Sequence, residues 1–272
     1  MVKEIENLKE YESFIDGFYD DINFSDPHIV AEKEAGKDIY HWQKKSADHY
    51  FVVTDNDDIL GLFVFIVYED EKYLEMYTGL SRSAVAIDEM LDYLTANYKG
   101  FKADFVFNPR WAMFKVALQK RNASFDIEQQ RMVYLHKKFD IDTSDIVPYS
   151  DKYRDQYLAM HTKDMYWVGE KVIEAKKRFN IFLAVKDDVV MGYIDVTHCF
   201  DENEPYDLFV KPEYRGNGVG KRLLYKALQE NEPKDMMLFV DVDNEAAIHL
   251  YNSLGFQKQE YGDIQVANVY PL

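Results

Sequence analysis

One plan of strands and helices is written twice along these 272 residues, and that repeat narrows the folds open to the chain. Residues Phe51 to Phe65 read as strand, acidic turn, strand. Residues Phe182 to Val196 say the same thing later: paired aspartates mark each turn, and Gly61 or Gly192 follows inside the second strand. Downstream, Ala103 to Phe107 is a short apolar strand ending at Asn108-Pro109, a helix start. Met236 to Val242 is its counterpart, ending at Asn244. Each half closes on a strand, Met132 to His136 or Ile264 to Val269, and opens on an amphipathic helical stretch, Ile5 to Tyr19 or Lys152 to Met165. The expectation is a mixed α/β (α+β) chain of two tandem domains, 1–143 and 144–272, with the boundary in the polar stretch before Pro148.

Composition supports packed domains and removes several function classes. The chain is 47% hydrophobic and 15% aromatic, enough for cores and too much for global disorder. Its formal charge of -17 repels phosphate backbones and anionic lipid, so neither nucleic acid nor a membrane is an expected partner. A single cysteine, Cys199, excludes an internal disulfide framework and a multi-cysteine zinc site. The seven histidines form no H-x-x-x-H or H-E-x-x-H pattern, so no metal is expected. The start lacks the apolar segment of a signal peptide and the run Ile59 to Tyr68 is too short to span a bilayer. The expected setting is therefore cytoplasmic. Composition leaves the oligomeric state open.

The chemistry concentrates between Asp207 and Leu228. A strand is stopped by Pro212, Gly216, Gly218 and Gly220 alternate, and a helix begins with Leu223, Leu224, Ala227 and Leu228 on one face. Glycines ahead of a helix let backbone N–H groups converge on an anion, and the helix end adds partial positive charge. Lys211, Arg215, Lys221, Arg222 and Lys226 make this the basic island of an acidic chain, as a polyphosphate ligand requires. A solvated basic helix after a glycine turn is the plainer reading. The spacing is G-x-G-x-G, neither a P-loop nor the dinucleotide G-x-G-x-x-G, although Asp241 keeps a nucleotide-binding βαβ unit as a competitor.

Two motifs in this region resemble those of the GNAT-type N-acetyltransferase superfamily. They are Arg215-x-x-Gly218-x-Gly220 preceded by Val210-x-Pro212, and Asn244-x-x-Ala247-x-x-Leu250-Tyr251-x-x-x-Gly255-Phe256, in that order. The resemblance covers roughly Ile146 to Leu272 and implies a mostly antiparallel sheet flanked by helices and splayed between its fourth and fifth strands. It implies acetyl-CoA as cosubstrate, with pantetheine beside Leu208, Phe209 and Val210. The pyrophosphate would lie on the backbone of Gly216, Asn217, Gly218, Val219, Gly220 and Lys221 beside Arg215. Asn244 would contact pantetheine, and Tyr251 would stand near the thioester sulfur. Asn244 and Tyr251 are seven residues apart and so share one helix face.

Tyr251 then reads as the general acid for the departing thiolate, against a packing tyrosine in a chain that has 21. The base stays open. Related enzymes often carry a glutamate four residues before the motif valine, where this chain has Tyr206. Asp207, Glu204, a water chain or no protein base are the choices, with Asp207 the named candidate. The His198-Cys199 neighbours are a weak nucleophile pair. In the first half the corresponding stretch, Ser81 to Ile87, lacks the glycine string, which marks that half as a degenerate GNAT-like domain. The expected activity is transfer of an acetyl group to a primary amine of a small molecule or peptide, with a cationic amine favoured by the acidic surface. The alternatives are a catalytically weak CoA-binding or scaffold module and a tandem aminoacyl or longer-acyl transferase.

Overall fold

In this computed structural model, which describes residues 1–34, 38–162 and 167–272, the chain forms two compact units. The first comprises Met1–Gln130 and Gln259–Leu272, the second Arg131–Lys258.

The first unit contains β1 (Val2–Ile5), α1 (Glu12–Asp16), α2 (Pro27–Glu34), β2 (Asp48–Asp55), β3 (Asp58–Tyr68) and β4 (Tyr73–Ser81). It continues with α3 (Ala84–Asn97), β5 (Lys102–Phe107), α4 (Ala112–Gln119) and β6 (Ser124–Phe125). After β7 (Gln129–Tyr134) the second unit runs β8 (Ile146–Pro148), α5 (Arg154–Leu158), α6 (Gly169–Glu174), β9 (Phe179–Lys186), β10 (Val189–Thr197), β11 (Glu202–Asn203) and β12 (Pro205–Val210). It ends with α7 (Val219–Asn231), β13 (Asp235–Asp241), α8 (Glu245–Ser253) and β14 (Phe256–Lys258), before β15 (Gln265–Val269) completes the chain. Among the described residues no helix is long and apolar enough to cross a membrane.

The first unit's sheet has the order β1-β2-β3-β4-β5-β15-β6. The second unit holds two four-stranded sheets, β12-β10-β9-β8 and β11-β13-β7-β14. Strand β12 thus ends one sheet while β13, the next strand along the chain, lies in the other, which is the expected splay. In the first unit β4 and β5 pair in parallel over Tyr73–Met76 and Lys102–Phe105, leaving the end of β4 free of β5.

The repeat extends to the irregularities of the strands. The register slips between Val53 and Thr54 opposite β3, and between Val190 and Gly192 opposite β9, so Leu60 and Met191, each just before a glycine, are the extra residues. A second slip makes Tyr77 the extra residue on β4 and Tyr206 the extra residue on β12. Gly192 is required by packing: a Cβ there would stand 2.5 Å from the Phe209 carbonyl oxygen.

Three local expectations change. The strands read as the ends of the two halves are exchanged: β15 pairs with β5 and β6 in the first unit, and β7 pairs with β14 in the second. Ala267 and Val269 complete the first core, while Met132 and Tyr134 join Phe256 in the second. Alternating patterns state that a segment is a strand without stating its partner, so the compact units differ from consecutive halves. The opening stretch Ile5 to Tyr19 is a strand, a 3-10 turn and the short α1, although Leu8, Ile15 and Phe18 are buried as its pattern requires. Its counterpart from Lys152 is a 3-10 turn and α5, and its end at 163–165 lies outside the described residues. Helix α4 starts at Ala112 rather than at Pro109, because the Asn108 side chain accepts from Arg110 N and donates to the carbonyls of Ile22 and Ser25.

Candidate functional site

Helix α7 buries the face its sequence marks out, Leu223, Leu224, Ala227 and Leu228 each being at most 2% exposed. That packing fixes where its N-terminus points. The helix starts after Gly218, which has φ +71° and offers no capping side chain. Gly216 is also left-handed, with φ +75°. Side chains at such angles are strained, so these two glycines set the course of the loop. The first helical bond runs from Arg222 N to the Gly218 carbonyl, and the N–H groups of Val219, Gly220 and Lys221 ahead of it have no intrahelical partner. Gly220 lies between Val210 and Leu250, where a Cβ would be 3.6 Å from each side chain.

Two arginines hold the loop in shape. Arg222 grips Asp145 with Nε at 3.0 Å and Nη2 at 2.9 Å, and its Nη1 donates to the Asn217 carbonyl at 3.0 Å. Arg215 donates Nε to the Val210 carbonyl at 2.9 Å and lies over the Phe209 ring. Lys226 pairs with Glu230 one turn on. Among the described residues Lys221, at the helix mouth, makes no ion pair.

A cleft of about 810 Å³ opens in front of this helix end. Leu208, Phe209 and Val210 form one wall, Arg215, Gly216, Gly218, Val219, Gly220 and Lys221 the end, and Asn244 and Tyr251 on α8 the other wall. Eleven of the twelve residues expected from the sequence to hold the cosubstrate therefore share one cavity. Asn217 belongs to the loop backbone without lining it. Asn244 also caps α8, its Oδ1 accepting from Ala247 N at 3.1 Å. The Tyr251 ring meets Phe256 edge-on at 5.8 Å, and burial, then the Asp207 charge, push its phenol up to about 12. It stays protonated at neutral pH, as an acid must.

The structure separates the candidate bases. Asp207 is the carboxylate close enough for its charge to act on Tyr251. Glu204, raised by burial, has Arg178 and Arg131 as its compensating neighbours. Tyr206 packs on Phe179 with ring centroids 5.8 Å apart. Cys199 is exposed, and the His198 ring meets the Lys176 carbonyl at 3.1 Å, leaving no thiol–imidazole pair there.

Asp207 also belongs to a group that local sequence reading missed. Tyr193 donates to it, and His161 Nδ1 is 3.8 Å away. His161 Nε2 is 3.2 Å from Asp195, which is wholly buried. The available signal was Asp195 itself, a charge inside the apolar run of β10. The three groups offer donor atoms within 4.8 Å of one another. The two carboxylates thus lie close to each other as well as to the ring, Asp195 beside Nε2 and Asp207 beside Nδ1.

The segment 146–256 matches the model of the Acetyltransferase (GNAT) family. The match lies within the second unit and takes in both motifs. The chain is similar to the mycothiol acetyltransferase of Streptomyces coelicolor, 36% identical over 84 residues, which are 29% of this chain and 27% of that one. It is equally similar, 36% over 75 residues, to the N-alpha-acetyltransferase RimI of Mycobacterium tuberculosis, covering 26% of this chain and 48% of that one. The aligned stretches therefore span less than half of these curated relatives. A tandem GNAT protein from the clavulanic acid biosynthesis pathway superposes over 100% of this chain and 98% of its own, with a TM-score of 0.53 at 13% identity. Both units thus belong to one tandem GNAT fold.

Proposed function

We propose that the chain is an acyl-CoA-dependent N-acetyltransferase that moves an acetyl group from acetyl-CoA to a primary amine of a small molecule or peptide. The observation that carries this is the cleft of the second unit, where an uncapped helix end, the two motif glycines, Asn244 and Tyr251 face one space. Anions bind at such helix ends through free N–H groups and the helix dipole. The backbone of 216–221, with Arg215 and Lys221, would take the pyrophosphate. Leu208, Phe209 and Val210 supply an apolar wall and a strand edge for pantetheine. Both curated relatives described above are named acetyltransferases, which supports acetyl as the group moved.

The chemistry follows from what these residues can do. An amine held beside the thioester attacks its carbonyl carbon, and holding both partners in one cleft supplies much of the rate. Tyr251 delivers its proton to the leaving sulfur, and Asp207 receives the proton lost by nitrogen. A free-thiol assay with acetyl-CoA and a panel of amines tests this reading. It requires amine-dependent thiol release, with the acetylated amine detected by mass. Tight acetyl-CoA binding without turnover on any amine would leave a CoA-binding module instead.

A further inference from the structure

Asp195 and Asp207 are direct partners in the antiparallel register of β10 and β12. Like charges repel in that position, and one of these two is wholly buried. The equivalent pair in the first unit, placed by the matching slips at Tyr77 and Tyr206, is Val64 and Thr78, both buried and uncharged. The fold therefore does not require the acids.

Beside both lies the His161 ring, 3% exposed, with Nε2 at 3.2 Å from Asp195 and Nδ1 at 3.8 Å from Asp207. The ring is fixed on several sides. It stacks on Tyr193 at 4.3 Å and meets Tyr157 edge-on at 4.6 Å. Gly169 of α6 makes room for it, since a Cβ there would be 2.9 Å from the ring. The carboxylates are held as well: Tyr157 donates to both oxygens of Asp195, at 2.9 and 3.0 Å, and Tyr193 donates to Asp207. Among the described residues the titratable groups around the ring are thus Tyr157 on α5, Tyr193 and Asp195 on β10, and Asp207 on β12, with Tyr251 on α8 beyond Asp207. Burial pushes the Asp195 carboxyl up, and His161 pulls it back. Asp207, whose side chain is 21% exposed, is the member that an acceptor can reach.

We propose that His161, Asp195 and Asp207 form one proton-accepting unit, in which Asp207 takes the proton of the acceptor amine and His161, oriented by Asp195, holds it. This rests on the acyltransferase reading. As the amine attacks, the C–N bond forms and the C–S bond breaks with its electron pair going to sulfur, which gains the Tyr251 proton. The N–H bond breaks toward Asp207, and that proton reaches His161 Nδ1 when the 3.8 Å gap between them closes. Its return to the Tyr251 phenolate restores the site, so one proton moves from nitrogen to sulfur overall. Asp207 is the catalytic residue, and His161 and Asp195 are positioning residues that act through it.

The test uses the whole chain. Ring-proton NMR follows the imidazole titrations, with the His161 resonance assigned by its loss in His161→Gln. Asp207→Asn and Asp195→Asn should each lower its midpoint by about one pH unit or more, because each removes an anion that favours the imidazolium. His161→Gln should lower kcat/KM for the amine about tenfold or more and move the acid limb of its pH profile toward the carboxylate range. The acetyl-CoA-induced rise in Tm should persist. A structural role would lower Tm and leave the limb in place. A midpoint unmoved in both aspartate variants overturns the proposal, as does activity abolished by EDTA and restored by a divalent cation, which would make these groups metal ligands. An inactive wild type with the coupling intact refutes the acyltransferase reading and with it the catalytic use of the unit. Missing coupling in an active enzyme refutes the unit alone.

Discussion

Gly218 and Ser83 hold the same position in the two units, at the start of the helices that follow β12 and β4, and they treat that helix end in opposite ways. Ser83 Oγ accepts from Ala86 N at 3.2 Å and closes the end of α3. Beside it Arg82 is tied to Asp21 and to the Gly17 carbonyl, with its guanidinium 4.0 Å from the Phe18 ring centroid. Gly218 offers α7 no cap, and the end stays available to a ligand. The contrast is the physical basis for proposing that the second unit binds the cosubstrate and the first does not.

The left-handed backbone at Gly218 gives a stability prediction. Gly218→Ala should lower the unfolding free energy by about 1–2 kcal/mol, the cost of an L side chain in that region, while leaving the m-value unchanged. Denaturant midpoints of the two proteins measure this. Equal midpoints would mean that the loop adopts another course in solution.

Tyr251→Phe keeps the ring against Phe256 and removes the hydroxyl. With Tyr251 as general acid, kcat should fall by roughly 10² to 10⁴ at unchanged acetyl-CoA affinity. The loss should be smaller for donors with a more acidic thiol. Because the phenol is pushed up to about 12, its protonated form prevails below that pH. Activity carried by it is therefore lost only as pH rises toward 12, and a wild-type basic limb at neutral pH would have to come from another group. Full activity in a stable variant would remove Tyr251 from the chemistry.

Arg222 is expected to act through the loop. Arg222→Ala frees the Asn217 carbonyl and leaves Asp145 unpaired, so acetyl-CoA binding should weaken about tenfold as a preorganised loop becomes a mobile one. Lys226→Ala, on the same helix with its partner Glu230, should change affinity little. Calorimetric titration of the two variants separates these roles, and equal losses would contradict the loop argument.

The exchanged last strand gives a test in the first unit. Ala267 is fully buried opposite Phe105 and Phe125. Ala267→Asp should destabilise this unit by about 3 kcal/mol or more, the scale of an uncompensated buried charge. Fluorescence from Trp42 and Trp111, both in this unit, should report the loss. A wild-type midpoint would mean that β15 lies elsewhere.

How far the site was legible depends on distance along the chain. Gly216, Gly218 and Gly220, and the Asn244–Tyr251 pair, are local spacings, and turn and helix geometry convert such spacings directly into shared faces. The α7 face was readable for the same reason. The His161–Asp195–Asp207 group was not: it depends on the register of β10 against β12 and on a loop 34 residues before Asp195, which no periodicity encodes. The exchange of β7 and β15 escaped likewise, since each is an ordinary strand by pattern and its neighbour is set by the assembled sheet.

The central claim is that the glycine loop of the second unit, and no site in the first, receives acetyl-CoA. Calorimetric titration of acetyl-CoA into the whole chain and into its Gly220→Glu variant tests it directly. The glutamate would set bulk and negative charge between Val210 and Leu250 at the helix mouth, against a backbone angle that tolerates a side chain. The account predicts a single site per chain in the wild type and no measurable binding in a folded Gly220→Glu protein. Binding of unchanged affinity in that variant, or a second site of equal strength, would contradict it.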